Sequence, residues 1–276
     1  MMLLAGARPD ALPSFMSRTL AQAALKVPPF TSPRVRLEFL RRRAQLGRIR
    51  RRFFERLGSD RYSHPALFEL DRKLEPYLPY EKGFFVEAGA NDGYVQSNTY
   101  YLERFKRWSG VLVEPIPELY RECLIERPGS LVFNFALVPA DYPDATVPMR
   151  YGGLMSLVEG ARGSSRADEE HVLAGTRLGW DRTYSIAVPA RTLSSILDEV
   201  GAPEVDLLSL DVEGYEAQAL LGLDFTRHVP RYVLVEIQGE QERQLAVEAV
   251  LGDRYEAVEQ LSPYDVLYRR TPWHRQ

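Results

Sequence analysis

The alternation of short apolar runs with helical patterns, from Gly83 onward, constrains the fold most. Strands of four to eight residues that alternate with helices are typical of βαβ units. The predicted strands are 84–88, 110–114, 131–136, 206–210, 232–237, 255–260 and 266–269. The predicted helices between them are 98–105, 117–126, 193–200, 215–221 and 240–251. We therefore predict an α/β fold with a doubly wound, mostly parallel sheet and helices on both faces.

The polarity of the strands refines this prediction. The first five are nearly continuous apolar runs, as expected of strands that are covered on both faces. The last two alternate between apolar and polar residues, which favours an antiparallel edge.

Composition excludes several other classes of protein. With 45% hydrophobic and 26% charged residues, the chain is neither disordered nor a collagen-like or coiled-coil rod. No apolar stretch approaches the ~18 residues of a membrane-spanning helix. We find no secretory signal and expect a cytoplasmic protein. The single cysteine, Cys123, excludes an intramolecular disulfide and a cysteine zinc site, and its apolar neighbours on a predicted helix place it in the core.

Charge is distributed unevenly along the chain. Residues 1–61 contain fourteen basic and four acidic residues, a net charge of +10. The remaining residues contain twenty-one basic and thirty-four acidic ones, a net charge of −13. We therefore divide the chain into a basic helical N-terminal extension (1–80) and a globular domain (81–276). The acidic domain would repel phosphates, so nucleic acid is not an expected partner.

A long helix is predicted in the basic extension over 34–57, where proline is absent. Its apolar residues recur at helical spacing, with arginines largely around them: Val35, Phe39, Leu46, Ile49, Phe53 and Leu57. One interpretation is a helix packed on the domain with a solvated charged face. The other is attachment, through the arginines from Arg34 to Arg56, to an anionic membrane such as the inner membrane surface, or to a phosphate-bearing partner. Shorter helices are predicted over 17–25 and 65–74, and a homo-oligomer remains open.

A glycine-rich segment, 139–189, interrupts the alternation of strands and helices. A loop this long inside a compact domain is usually functional or disordered. We interpret it as a substrate-facing insertion with some short strands. Within it, His171 is either a solvated surface residue or a mobile base, and Trp180 either packs or contacts a sugar face.

The first strand runs into a glycine-containing turn, Glu87-Ala88-Gly89-Ala90-Asn91-Asp92-Gly93. In open α/β sheets, ligands bind beyond the carboxyl ends of the strands, and glycines let the backbone turn sharply there. The E-x-G-x-x-x-G spacing is that of methyltransferases that use S-adenosylmethionine (SAM). At the end of the second strand, Glu114 can accept hydrogen bonds from both ribose hydroxyls of a nucleoside. Asn134 and Ala136 end the third strand, where an adenine edge would lie.

Acidic residues follow the fourth and fifth strands. Asp211 and Glu236 stand at the ends of these strands, and Glu213 follows Asp211 by two residues. Because neighbouring parallel strands end at the same crevice, we expect Asp211 and Glu236 to lie close together. Paired carboxylates can bind a divalent cation or hold a base at raised pKa. Either role suits methylation of a hydroxyl, which must lose its proton. Glu213 can equally serve as a helix-start residue.

These segments together resemble the FkbM family of SAM-dependent methyltransferases. The most specific are the turn Gly89-Ala90-Asn91-Asp92-Gly93 and the block Asp211-Val212-Glu213-Gly214-Tyr215-Glu216, with 97–99, 110–115, 191–193 and 235–237 between and after them. The resemblance covers about 83–240. It implies a class I methyltransferase (Rossmann-like) fold with a seven-stranded sheet and SAM as methyl donor. It also implies, as the usual reaction, O-methylation of a sugar, a glycan or a glycosylated natural product.

The resemblance also implies roles for individual residues. The residues expected to bind SAM are Glu87, Gly89, Ala90, Asn91, Gly93, Glu114, Asn134, Ala136 and Asp211. The methionine end would lie at the first turn, and the ribose at Glu114. The expected catalytic residues, at the reacting end, are Asp211, Glu213 and Glu236.

A divalent cation, Mg²⁺ or Mn²⁺, is a further expectation. Its ligands would be Asp211 and Glu236 with Gln238, because all-oxygen ligands suit these ions. Alternatively, Asp211 contacts the ammonium group of SAM, Glu236 binds the acceptor, and no metal is present. Many relatives have a histidine at the position of Gln238. Because this chain has a glutamine there, the resemblance implies no histidine role at this position.

Two functions from different classes therefore stand. The leading one is a SAM-dependent O-methyltransferase that acts on a sugar hydroxyl. The alternative is a non-catalytic adaptor that binds a nucleoside and recruits a partner through its basic arm. The motifs of an α/β-hydrolase and a P-loop NTPase are missing from the sequence, and an NAD oxidoreductase is disfavoured because the third glycine of its motif is missing.

Overall fold

The computed structural model describes residues 33–177, 183–237 and 241–272. The strands of the main sheet are β1 (Phe84–Ala88), β2 (Ser109–Val113), β3 (Leu131–Phe133), β8 (Leu207–Leu210), β9 (Tyr232–Glu236), β10 (Tyr255–Gln260) and β11 (Asp265–Arg270). A smaller sheet contains β4 (Ala136–Leu137), β5 (Thr146–Tyr151), β6 (Leu157–Val158) and β7 (Tyr184–Arg191).

The α-helices of the described residues are α1 (Pro33–Arg56), α2 (Leu70–Lys73), α3 (Tyr100–Lys106), α4 (Pro117–Glu126), α5 (Ser165–Arg177), α6 (Leu193–Glu199), α7 (Glu216–Leu221) and α8 (Gln241–Leu251). Short 3₁₀ turns occur at Leu67–Glu69, Gly153–Met155 and Gly252–Arg254. Across these helices, none combines the length and the apolar character needed to cross a membrane.

The main sheet has the strand order β10-β11-β9-β8-β1-β2-β3. Strands β3, β2, β1, β8 and β9 pair in parallel, and β11 runs antiparallel to both β9 and β10. Side chains of β1 enter both faces: Val86 packs in one apolar cluster and Phe85 in another. Because a strand alternates its side chains between faces, a sheet covered on both sides needs continuous apolar runs. The predicted class I α/β fold and its antiparallel edge are confirmed.

The third predicted strand, 131–136, divides between the two sheets. Residues 131–133 extend the main sheet as β3, whereas Ala136–Leu137 pairs in parallel with β7. The Asn134 side-chain amide donates to the carbonyl oxygens of Glu114 and Pro115, both at 2.8 Å. These bonds hold Asn134 against the neighbouring turn at the point where the chain changes sheets.

The insertion contains more regular structure than the sequence indicates. Strand β7 pairs with β5 over six residues, from Thr146↔Pro189 to Tyr151↔Tyr184. Helix α5, which we did not predict, begins after a glycine-rich turn. The buried Asp168 carboxylate accepts the backbone N–H groups of Gly160 and Arg162 at 2.6 and 3.1 Å, which joins this turn to the helix.

Helix α1 packs on the domain through its charged face. The buried Arg51 guanidinium donates to the Tyr100 hydroxyl at 2.9 Å and pairs with Glu126. From the same face, Glu55 accepts the Tyr100 hydroxyl at 2.8 Å and pairs with Arg104 at 2.9 Å. The expectation of a packed helix with a solvated charged face is therefore wrong about its orientation: charged groups of α1 meet charged partners on α3 and α4.

The helix predicted over 65–74 is also corrected. Phe68 and Glu69 have φ angles of 53° and 57°, values that regular α-helix excludes. A 3₁₀ turn and the short α2 replace the single helix. The helix predicted over 17–25 lies outside the described residues.

A buried cation organises the turn after β1. Arg127, at the end of α4, is fully buried and donates to Glu103 at 2.7 Å. It also donates to the hydroxyls of Ser97 and Thr99 at 3.1 and 3.0 Å, and lies 3.4 Å from the Glu87 carboxylate. Burial of a charge is tolerated only when such partners replace water.

We expect Arg127→Met to reduce the free energy of unfolding by about 3–5 kcal/mol, because it leaves buried carboxylates without their cation. Arg121→Met, at an exposed position of α4, is the matched control and should change it by less than about 0.5 kcal/mol. Chemical denaturation of both variants measures the difference. Equal stability of the two would contradict the role given to Arg127.

Candidate active site

A pocket opens at the carboxyl ends of β1, β2 and β8. Its empty volume, counted out to the open mouth and including solvent space there, is about 930 Å³. Seven of the predicted cofactor residues line it: Glu87, Gly89, Ala90, Asn91, Glu114, Ala136 and Asp211. The ends of neighbouring strands therefore bring the predicted residues together.

Gly89 allows two strand ends to touch. Its φ is +80°, and a Cβ atom there would lie 1.8 Å from the Asp211 carbonyl oxygen. The Asp211 backbone N–H donates to the Ala88 carbonyl at 3.1 Å. A side chain at position 89 would therefore separate β1 from β8 and displace Asp211.

The Glu87 carboxylate holds the loop that follows the turn. It accepts the Ser97 and Thr99 hydroxyls at 2.8 and 2.7 Å and the Asn98 backbone N–H at 2.7 Å. Arg127 lies on the same carboxylate. Glu87 lines the pocket, but the contacts of its carboxylate are with the protein, so it supports the loop around the ligand.

Gly93 and Asn134 lie behind the lining of the pocket. A Cβ atom on Gly93, whose φ is +84°, would come within 2.9 Å of the Arg127 side chain. The Asn134 amide binds the two carbonyl groups after β2 and thereby fixes the turn that carries Glu114. Both residues therefore support the backbone around the pocket and do not line the pocket.

Glu114 is buried at the end of β2. Its two oxygens accept the backbone N–H groups of Asn91 and Ile116, each at 2.8 Å. Burial raises the pKa of Glu114 to about 8, against the opposing effect of these donors. Each oxygen retains a second lone pair, so the carboxylate can also accept the hydroxyl groups of a ribose.

Three carboxylates form a cluster beside Gly89. Asp211, Glu213 and Glu236 each place one oxygen within 4.8 Å of the others. Burial raises the pKa of Asp211 well above its usual value, and the Glu213 charge adds to this rise. Burial and the charges of the other two raise the pKa of Glu236 in the same way. Such a cluster can share protons or hold a divalent cation.

His171 reaches this cluster from the insertion. Its Nε2 atom lies 2.9 Å from Glu213 Oε2, and the two side chains are only 10% and 13% exposed. The interpretation of His171 as a solvated surface residue is therefore wrong. The sequence did not predict the position of His171, because it did not predict helix α5, which carries this residue. The glycine-rich segment before the helix favoured a loop.

Other parts of the insertion form one wall of the pocket. Met149, Gly153, Leu154, Ser156 and Val158 line it together with residues of the main sheet. Cys123 is buried beneath the turn, as predicted, and its thiol donates to the Asn91 carbonyl at 2.9 Å. Gln238 and Trp180 lie outside the described residues.

The comparison with protein families decides between the two predicted function classes. The family described as the methyltransferase FkbM domain matches residues 87–261, more than half of the chain. The chain belongs to the FkbM methyltransferase family. This membership confirms the predicted SAM-dependent methyltransferase and favours it over the non-catalytic adaptor. No curated protein matches the chain.

Several solved structures resemble this FkbM methyltransferase. A SAM-dependent methyltransferase from Aquifex aeolicus is 12% identical with a TM-score of 0.40, and the match covers 76% of this chain and 93% of that one. A TehB-like SAM-dependent methyltransferase from Corynebacterium glutamicum is 11% identical with a TM-score of 0.38, over 80% and 95%. Fibrillarin from Aeropyrum pernix, with natively bound SAM, is 12% identical with a TM-score of 0.39, over 74% and 76%. Similarity at this level carries no functional argument.

The residues of the FkbM site fit SAM. Glu114 offers free lone pairs where the two hydroxyls of a ribose would lie. Asn98, which lines the pocket, has a buried amide oxygen that accepts no hydrogen bond from the described part of the chain. The ammonium group of SAM is a donor that such an oxygen would bind.

At a pH above 8, where Glu114 is ionised, we expect Glu114→Ala to weaken binding of S-adenosylhomocysteine by about a hundredfold or more, through the loss of two charge-assisted hydrogen bonds of ~1.5–3 kcal/mol each. Calorimetric titration measures this affinity. The control Glu204→Ala changes an exposed carboxylate just before β8, at the opposite end of that strand from the pocket. Thermal unfolding without ligand shows whether the variant is folded. A folded Glu114→Ala protein with unchanged affinity would contradict the ribose assignment.

Proposed function

We propose that the protein transfers the methyl group of SAM to a hydroxyl of a sugar, a glycan or a glycosylated natural product. The observation that carries the proposal is the cluster of Asp211, Glu213 and Glu236 beside Gly89, at the end of the pocket that suits the methionine part of SAM. Carboxylates are acceptors for hydroxyl donors, and residues of the insertion line the same pocket.

The residues of the cluster account for the proton in this reaction. SAM supplies an electrophilic methyl group, and the acceptor oxygen forms its bond to that carbon as the S–CH₃ bond breaks. The hydroxyl proton must leave, and in our proposal a carboxylate of the cluster accepts it. Without a bound cation, burial makes Asp211 and Glu236 stronger bases than free carboxylates. Most of the remaining rate enhancement would come from alignment of donor and acceptor.

A divalent cation belongs to this proposal, with a changed set of ligands. The sequence predicts Asp211 and Glu236 with Gln238 as ligands. The carboxylate oxygens of Asp211, Glu213 and Glu236 lie within 4.8 Å of one another, which supports Glu213 as a ligand in our proposal. Three carboxylates this close repel one another unless protons or a cation neutralise them. Their oxygens suit Mg²⁺ or Mn²⁺, and a cation there would lower the pKa of the acceptor hydroxyl.

Methyl transfer tests the function. The purified protein is incubated with SAM and a set of sugars, nucleotide-linked sugars and lipid-linked sugars, and formation of S-adenosylhomocysteine and methylated product is followed by mass spectrometry. We expect methyl ethers on at least one sugar class. Transfer only to nitrogen or carbon acceptors would contradict the proposal.

We expect Glu236→Gln to reduce kcat by about 10²–10⁴-fold, the usual effect of removing a general base. The control Glu256→Gln, at an exposed position of β10, should retain the parental rate. Because Glu236 lies behind Asp211 and Glu213 and is not among the residues that line the pocket, affinity for S-adenosylhomocysteine should change little. Full activity of Glu236→Gln would contradict its catalytic role.

Removal of metal tests the cation. After treatment with EDTA and exhaustive dialysis, we expect methyl transfer to fall to background and to return with Mg²⁺ or Mn²⁺. Glu213→Gln should require a higher Mn²⁺ concentration for the same recovery. Full activity of the metal-free protein would show that the cluster works by proton transfer alone.

A further inference from the structure

Helix α1 presents an apolar stripe to solvent. Leu46, Ile49, Phe53 and Leu57 are 58–67% exposed. Their spacing of three or four residues places them along one side of the helix, at about 100° per residue, and Leu57 directly follows its last residue. Large apolar side chains that form one continuous exposed stripe mark an interaction surface more often than isolated ones do.

The exposure of this stripe follows from how α1 is anchored. Its opposite face carries the buried Arg51 and Glu55, which are joined to Tyr100, Glu126 and Arg104. Rotation of the helix to bury the stripe would break these buried charge pairs, which is costly. The helix is therefore held with its apolar side outward.

Exposed arginines flank the stripe on both sides. At helical spacing, Arg43 and Arg50 lie along one border and Arg56 along the other, and all three are exposed. An apolar stripe between basic borders is the pattern of helices that lie in the plane of a membrane interface, where arginines meet lipid phosphates. We propose that α1 binds the protein to the surface of an anionic membrane through this stripe and its arginines.

A second copy of the chain fits the surface less well. In a two-fold contact each residue faces the symmetry-related surface, so the arginines bordering one stripe would lie against those bordering the other. Opposition of like charges disfavours this pairing, whereas an anionic lipid surface complements all three arginines. Charge thus selects the lipid surface as the occupant.

The position of α1 connects the membrane to the pocket. The Arg51 guanidinium lies 3.4 Å from the centre of the Tyr94 ring, and the next two residues, Val95 and Gln96, line the pocket. The loop at the pocket therefore rests on the helix that binds lipid. Membrane binding does not depend on the proposed methyl acceptor, and the two can be tested separately.

Vesicle co-sedimentation of the full chain tests the proposal. The vesicles are phosphatidylcholine alone or an equimolar mixture of phosphatidylcholine and phosphatidylglycerol. We expect pelleting only with the anionic mixture, and less of it at high salt because salt screens exposed charges. Arg43→Gln with Arg56→Gln should weaken binding by about thirtyfold. Ile49→Ser with Phe53→Ser should weaken it by at least about a hundredfold.

Point variants keep the helix in place, whereas its deletion would expose the partners of Arg51. Leu245→Ser is the matched control, because Leu245 on α8 is exposed to a similar extent, 56%, and it should bind vesicles as the parent does. Affinity for S-adenosylhomocysteine should be unchanged in all variants, which shows that they are folded. The proposal is overturned if the parent fails to pellet, or if Leu245→Ser weakens binding as much as the stripe variant. It is also overturned if Ile49→Ser with Phe53→Ser pellets with anionic vesicles as the parent does. If the parent is a dimer and these two substitutions convert it to monomers without changing vesicle binding, the stripe is a dimer interface and the proposal is wrong.

Discussion

The contact between Gly89 and the Asp211 backbone is the constraint on which the site depends. Two parallel strands, β1 and β8, are in register from Phe85↔Leu207 to Ala88↔Leu210, and the chains after them meet with no room for a Cβ atom. This close approach places the turn that begins at Gly89 next to the carboxylate cluster. The methyl donor and the methyl acceptor can then bind in one pocket.

Charged residues near this contact divide into two groups. Glu87 and Arg127 are buried and bonded to the protein, so they fix the shape of the loop beside the ligand. Glu114, Asp211 and Glu213 line the pocket and retain chemistry for a ligand. The charged residues around the site therefore have different roles, and their hydrogen bonds distinguish these roles.

Local sequence signals predict the part of the structure that local interactions determine. The strands of the main sheet follow from apolar runs, and the position of Asp211 beside Glu236 follows from strand order. His171, in the insertion, contacts Glu213, which is far from it in the sequence. No periodic pattern in the sequence predicts this contact. The buried role of Arg127 likewise depends on partners from two other segments.

Helix α1 illustrates the limit of amphipathic patterns. Its apolar stripe is evident in the sequence, and such a stripe normally faces the core. Here the ion pairs of Arg51 and Glu55 with α3 and α4 determine the orientation. Periodicity predicts which residues share a face, but the partners of the opposite face decide which side is buried.

A structure of the complex with S-adenosylhomocysteine tests the central claim most directly. The account predicts that the ribose hydroxyls bind the Glu114 carboxylate and that the amino-acid part lies between Gly89 and Asn98. It also predicts that the sulfur faces the cluster of Asp211, Glu213 and Glu236. A ligand whose ribose lies away from Glu114, or whose sulfur points away from the cluster, would contradict the account.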